Sequence, residues 1–357
     1  MFVTDNQLFI PKTGMEWEQV DPRTVGWDAT KLESLKKFAG EQNSSSLLVL
    51  HQGKILAEKN WEIAPELGGA DNLPATMYQA YQQGLSESGL PIEDVASTQK
   101  GFTAVLAFMA QERGLLDFDD SVARYLGSGW TLADEAAEKK VTIRHLLTMT
   151  TGLDAKLEFD AEPGTKWVYN TPAYQHLIRV IAAAAKMDYV ELTHKWLTQP
   201  LGMSDTAWIE RSNFPKMNKV TMLGLATTAR DLGKLGLLVL VSGSWEQFDI
   251  VRNPNSMWQM IQPSQDLNPA YGHLWYANGQ SRYIQPPDTE IKDGPLWPAA
   301  PEDTVAALGH LGRSLFVCPS LGLVVVRLGY ATKMALEGDP SFNRQLWEQL
   351  MDAAPAS

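Results

Sequence analysis

The chain has 357 residues and only one cysteine, Cys318. That excludes an intrachain disulfide and any cysteine-rich metal site, and it fits a reducing compartment. Positive charge is scarce as well. Thirty lysines and arginines face 42 aspartates and glutamates, a net charge of −12. With no Lys/Arg cluster to form a basic face, a nucleic acid is not an expected partner. Long apolar runs are missing too. "LGLLVLVSG" from Leu235 falls short of the roughly 20 residues a membrane-spanning helix needs, so no membrane partner is expected. The opening "MFVTDNQLFIPKTG" lacks the basic and apolar stretches of a signal peptide. A cytoplasmic protein is the default expectation, with a mature exported chain as the alternative.

Several motifs are also absent. There is no repeat at a period of 20–50 residues and no low-complexity tract. The chain lacks Gly-x-Ser-x-Gly, which argues against an α/β-hydrolase. It lacks Gly-x-Gly-x-x-Gly, a P-loop and His-Glu-x-x-His, so no cofactor or metal is implied. His51, His145, His176 and His194 show no metal-ligand spacing and are taken as structural.

What remains is an ordinary globular composition, 44% hydrophobic and 20% charged, long enough for two lobes with a sizeable core. "DATKLESLKKFAG" predicts an amphipathic helix capped by Asp28 and stopped at Gly40. "SSLLVLHQGKILAEKNW" predicts a hairpin turning at Gln52-Gly53. "EIAPELGGADNLPATM" reads as a loop. Helical patterns dominate from about Val95 to Thr198, and "TTARDLGKLGLLVL" adds a helix with a capping box from Thr228 to Asp231. "YGHLWYANG", "SLFVC" and "LGLVVVRLG" read as strands. A final helix places Phe342, Leu346, Leu350 and Met351 on one stripe.

The expected fold is therefore α+β: an antiparallel sheet flanked by terminal helices, plus a mostly helical lobe. Residues 20–70 and 225–357 would build the sheet lobe and 71–224 the helical lobe of one catalytic domain. The seam between lobes is the natural place for a site.

"VASTQKGFTAVLAFMAQ" points at that site. Ser97 and Lys100 are three apart and share a helix face. Phe102, Val105, Leu106 and Met109 form one apolar stripe, and Ala104 and Ala107 lie on the opposite side. No charge follows until Glu112, so the helix is expected to be buried. Desolvation at its mouth would lower the lysine's pKa and let a neutral amine take a proton from Ser97. The helix start also offers free N–H groups to an oxyanion. The alternative for Lys100 is a helix-end lysine snorkelling to water. A second Ser-x-x-Lys, Ser34 with Lys37, falls opposite Leu32, Leu35 and Ala39 and reads as solvated surface.

Here the chain resembles the serine β-lactamase and penicillin-binding-protein family, in the branch of class C β-lactamases and family VIII esterases. "ASTQKGFTAVLAFMAQERGLLDFDDSVARYL", "VTIRHLLTMTTGL", "PGTKWVYNTPAY", "PLGMSDTAW", "GLATTARDLGKLGLLVL" and "LGHLGRSLFVCPSLGLVVVRLG" occur in the family's order, from about Ser46 to Leu350. The resemblance implies a β-lactamase/transpeptidase-like fold. It makes Ser97 the acylated nucleophile, Lys100 its activator and Tyr169 the proton shuttle. His310-Leu311-Gly312 becomes the third motif on a strand edge, with Gly312 beside the substrate. The N–H groups of Ser97 and Arg313 become the oxyanion hole.

Two positions depart from the family's pattern. The asparagine of its second motif is Thr171, and the lysine of its third motif is His310. Both changes point away from β-lactamase activity and toward a carboxylic ester or amide substrate. The Arg313 side chain is a candidate anion contact. Tyr276-Ala277-Asn278 is a literal Tyr-x-Asn, but it reads as a strand ending in a turn, with Trp275 and Tyr276 as candidate substrate contacts. Trp61, Trp130, Trp167 and Trp275 are candidates for an apolar cleft, although core packing should claim at least half of the 12 tryptophans. β-Lactam or D-aminoacyl peptide hydrolysis on the same machinery stays open. So does an inactive, penicillin-binding-like sensor. The oligomeric state is not legible.

Overall fold

The computed structural model describes residues 8–12, 16–62, 81–211, 220–245 and 248–355. The loop-like stretch from Glu62 therefore lies almost wholly outside the described residues.

Strands β1 (Ser44–His51) and β2 (Lys54–Asn60) form the expected hairpin. Gln52 and Gly53 both take positive φ, 50° and 81°, which is the two-residue turn that matches strand twist. Four more strands complete a six-stranded antiparallel sheet, in the order β2-β1-β14-β13-β12-β9. They are β9 (Tyr276–Ala277), β12 (Val305–Leu308), β13 (Ser314–Cys318) and β14 (Leu323–Gly329). Strands β1, β13 and β14 are buried almost throughout because both sheet faces are covered.

On one face lie the helices Ala29–Glu41 and Phe342–Asp352, which join the chain's two ends. Phe38 stacks on Phe342 at 5.6 Å, and Trp347 meets Phe316 of β13 edge-on at 5.6 Å. Phe342, Leu346 and Leu350 are buried as the stripe predicted, while Met351 is only partly covered. The other face carries the helix Ala229–Leu240, close enough that a Cβ on Gly236 would stand 2.4 Å from Val324 and 2.9 Å from Leu315. Asp28 caps the first helix as expected, but that helix runs one residue past Gly40.

A second sheet, ordered β3-β4-β6-β5, bridges toward the helical lobe. It comprises β3 (Gln82–Leu85), β4 (Pro91–Asp94), β5 (Ala207–Glu210) and β6 (Leu223–Thr227). Two short ladders pair β7 (Ser244–Trp245) with β8 (Phe248–Asp249), and β10 (Arg282–Tyr283) with β11 (Lys292–Asp293). In the helical lobe, Gln99–Glu112 is buried from Gln99 to Ala110 and packs on Leu177–Ala185. Pro254–Ile261 packs on the same helix, and the N–H of Leu274 donates to Leu147 at 2.9 Å. Residues 254–274 thus associate with the helical side, whereas the sequence division grouped them with the sheet.

The strand expected in "YGHLWYANG" shrinks to Tyr276–Ala277, and its partner is β12 rather than a following hairpin strand. Asn278 is buried, and its amide donates to the carbonyls of Trp297, Ala300 and Pro301. It is a structural asparagine. The stray Ser34 and Lys37 are surface groups: Ser34 donates to the Thr30 carbonyl, and Lys37 stands 3.9 Å from Glu41 in solvent. Cys318 is buried and unpaired, and burial pushes its thiol up to about 11.

Candidate active site

The site forms where the helix Gln99–Glu112 begins, beside β4 and the β12–β13 turn. Ala96–Thr98 make one 3-10 turn before that helix, and Ala96 has a left-handed φ of 51°. Left-handed backbone is unusual for a residue with a Cβ and must be held by its surroundings. Asp94 holds it: its Oδ1 accepts the Ala96 N–H at 2.9 Å. This turn presents Ser97, which is only partly covered.

Lys100 is 2% exposed, and its Nζ stands 2.8 Å from Ser97 Oγ and 3.4 Å from Thr171 Oγ1. The faces of Tyr169 and Tyr174 enclose it, 4.8 and 4.5 Å from their ring centroids. Burial, and secondly the positive charge of Arg211, hold its pKa well below the ordinary 10.5. The snorkelling alternative is therefore excluded. Thr171, where the family has asparagine, is in place as a Lys100 partner.

Tyr169 precedes the short helix Thr171–Tyr174, which Asn170 caps by accepting the Ala173 N–H at 2.9 Å. Burial pushes the Tyr169 phenol up to about 12, and a hydrogen bond with Ser97 pulls the other way. Its ring sits 6.3 Å from both Trp167 and Tyr271.

The third motif differs from its expected setting. His310-Leu311-Gly312 is a 3-10 turn between β12 and β13, not part of a strand. Leu311 and Gly312 both have positive φ, 63° and 77°. Arg327 pins this turn from below, donating to the Leu311 carbonyl at 2.7 Å. A Cβ at Gly309 would lie 2.5 Å from the Val95 carbonyl, so the turn lies alongside the one that carries Ser97. His310 is exposed on one edge, and its Nδ1 lies 3.3 Å from the Tyr81 hydroxyl. Burial of its inner edge, then the charges of Arg313 and Arg211, lower its pKa, so the imidazole is neutral at pH 7.

Three sequence-based assignments are corrected. The Arg313 guanidinium is no open anion contact. It is fully buried, 2.8 Å from Glu93 and stacked 4.5 Å from the Tyr81 ring. Trp275 is fully buried against Gly101, with no surface open to substrate. Tyr276 is 4% exposed and packs 4.9 Å behind Tyr271. Of the four tryptophans proposed for a cleft, Trp167 adjoins Tyr169 and Trp61 lines a cavity with Asn60, Gln82 and Glu93, whereas Trp130 packs on His176.

Sequence reasoning missed Glu93, Asp94, Arg211 and Arg327, all of them buried or nearly so beneath the site. The one available signal was two consecutive acids just upstream of Ser97. Among the described residues, no cluster of three or more His, Cys, Asp or Glu could hold a metal, and no helix is long and apolar enough to cross a membrane.

A serine, a buried lysine and a tyrosine thus meet where the antiparallel sheet adjoins the helical lobe, in the fold of the serine hydrolases of the beta-lactamase family. The chain belongs to the beta-lactamase family, whose model matches residues 39–346. It is 22% identical over 311 residues to an uncharacterized protein of Alkalihalophilus pseudofirmus, covering 80% of this chain and 83% of that one. It spans about a third of the length of other curated relatives, such as penicillin-binding protein 4* of Bacillus subtilis. Two solved structures share the fold. A beta-lactamase/D-alanine carboxypeptidase from Pseudomonas syringae aligns with TM-score 0.64 and 17% identity over 92% of this chain and 99% of its own. EstCE1, a hydrolase with promiscuous acyltransferase activity, aligns with TM-score 0.60 and 16% identity over 92% and 98%.

Proposed function

We propose that this chain hydrolyses carboxylic esters or amides through an acyl-enzyme on Ser97. The observation that carries the reading is the contact of 2.8 Å between Ser97 Oγ and the Nζ of a buried lysine whose pKa is strongly lowered. A neutral Lys100 takes the Ser97 proton as Oγ attacks the substrate carbonyl. The tetrahedral oxyanion accepts from the N–H groups of Ser97 and Arg313. Tyr169, its phenol raised to about 12, stays protonated at neutral pH and can give its proton to the leaving alkoxide or amine. Lys100 reprotonates Tyr169, and water then releases the acid from Ser97 by the same steps in reverse roles. Lys100 is the better base of the two because its pKa moves toward the working pH while that of Tyr169 moves away.

Three observations favour neutral esters and amides over β-lactams. His310 is neutral, the Arg313 guanidinium is taken by Glu93, and Thr171 has no side-chain amide. A β-lactam carboxylate would then meet no point charge at the third motif.

The test is a substrate panel of a short-chain p-nitrophenyl ester, a linear anilide and a chromogenic cephalosporin. Ester or anilide turnover should exceed cephalosporin turnover, and Ser97→Ala should lower it by about a thousandfold or more. Intact-mass analysis with a fluorophosphonate should give one adduct on wild type and none on Ser97→Ala. Full turnover in Ser97→Ala, or faster cephalosporin cleavage, would overturn the reading.

A further inference from the structure

Beneath the Ser97 turn lies an ion pair that none of the three motifs contains. Arg211 follows β5, and Asp94 ends β4. The two strands flank β6, so the pair reaches across that strand. The contact is a fork on a fork: Nε to Oδ2 at 2.6 Å and Nη2 to Oδ1 at 2.7 Å, with side chains 8% and 2% exposed. Gly224 of β6 makes room for it. A Cβ there would stand 2.6 Å from Asp94 Oδ2 and 2.9 Å from Arg211 Nε. The same Nη2 also donates to Gln99 Oε1 at 3.3 Å, and Gln99 donates on to the Leu223 carbonyl at 3.0 Å. Asp94 Oδ1, already bound to arginine, also accepts the N–H of left-handed Ala96.

The pair thus grips residues 96 and 99, on either side of Ser97 and immediately before Lys100. Asp94 fixes residue 96, and Arg211 fixes residue 99. We propose that Asp94 and Arg211 are positioning residues for hydrolysis: they lock the left-handed turn that presents Ser97 and seat a fixed cation under Lys100. The proposal rests on the Ser97 acyl-enzyme reading and adds the groups that regulate its base.

A buried cation so close disfavours a second positive charge, which is the direction in which Arg211 acts on Lys100. Among the described residues, the other titratable and charged groups facing this pocket are Tyr81, whose phenol burial pushes up, Tyr169 and Tyr174 from the 169–174 segment, His310 from the β12–β13 turn, and the Glu93–Arg313 pair. Glu93 offsets Arg313, whereas Arg211, although paired with Asp94, still opposes a second positive charge on Lys100. Removing the Arg211 charge should therefore let Lys100 keep its proton to higher pH. The acid limb of the rate profile should move alkaline.

The experiment is the pH dependence of kcat and kcat/KM on the p-nitrophenyl ester. It compares wild type, Arg211→Gln, Arg211→Lys, Asp94→Asn with Arg211→Gln, and Gly224→Ala, each checked for folding by thermal melt. Arg211→Gln should lower kcat by about a hundredfold, since small displacements of a nucleophile cost that much. It should also move the acid limb up by about one pH unit or more. Arg211→Lys keeps the charge but loses the fork, so kcat should fall with the acid limb near its wild-type position. Gly224→Ala alters neither charge and should do the same. If Arg211→Gln alone does not fold, the doubly neutral variant leaves no unpaired carboxylate and should still show the alkaline move. Wild-type kcat and an unmoved acid limb in Arg211→Gln or in the double variant would overturn the proposal. So would a loss of kcat with no move of the limb in either. Loss of Ser97 dependence in the parent protein would instead overturn the acyl-enzyme reading.

Discussion

An imidazole held neutral cannot offer a carboxylate the point charge that a lysine offers. His310 is in that condition, and Arg313 beside it cannot compensate because Glu93 holds its guanidinium in the interior. On the proposed ester or amide reading, substrate choice at the third motif falls to hydrogen bonding, from the His310 ring and the Tyr81 hydroxyl 3.3 Å away. Restoring a cation should reverse the preference. His310→Lys should raise kcat/KM for a carboxylate-bearing cephalosporin by about tenfold or more relative to the neutral ester, the worth of one charge-assisted hydrogen bond. Steady-state kinetics on the two substrates measure the ratio. An unchanged ratio would mean that the anion is rejected elsewhere in the cleft.

The elements that position these residues are set by short-range chemistry in some places and by contact in others. Local signals worked where they act within a few residues. The Gln52-Gly53 turn is one case, and Asp28 at the first helix start is another. Thr228 caps the helix Ala229–Leu240 as its sequence implied, but Asp231 does not reach back to complete the box. Its carboxylate accepts instead from Asp205, Thr206 and Lys234, brought there by the fold. The same helix shows how contact overrides propensity. Alanine is a better helix former than glycine by about 1 kcal/mol, so Gly236→Ala would stabilise an isolated helix. In the protein the new methyl meets Val324 at 2.4 Å and Leu315 at 2.9 Å, with no flexible side-chain end to yield. Overpacking of that kind costs about 1–3 kcal/mol, and the net change should be destabilising. Urea unfolding of Gly236→Ala measures it, and a gain in stability would refute this helix–sheet spacing.

Across the whole molecule, the reach of the sequence ends where partners lie far apart in the chain. Ser97, Lys100 and Tyr169 were legible because their spacing and order are shared with a family. The pairs beneath them were not: Asp94 meets Arg211 across 117 residues and Glu93 meets Arg313 across 220. Nothing local marks which acid finds which base. The histidines set a further property that only burial reveals. His176 and His273 are both closed off from water, and desolvation above all lowers each to about 4. In the unfolded chain both titrate near 6.5, so between pH 6.5 and 4 the unfolded state binds more protons than the native one. Stability is therefore greatest above 6.5 and falls as the pH drops through this window, by about 3 kcal/mol for each histidine once complete. His176 packs edge-on against Trp130 at 5.1 Å, and its Nε2 has no protein partner. Phenylalanine can take its place without stranding a polar group. His176→Phe should match or exceed wild-type stability at pH 7 and lose less between pH 6.5 and 4, with a difference of about 3 kcal/mol at the acid end. Urea midpoints at half-unit pH steps decide it. Parallel curves for the two proteins would mean that His176 already carries its proton in the fold, against the burial seen here.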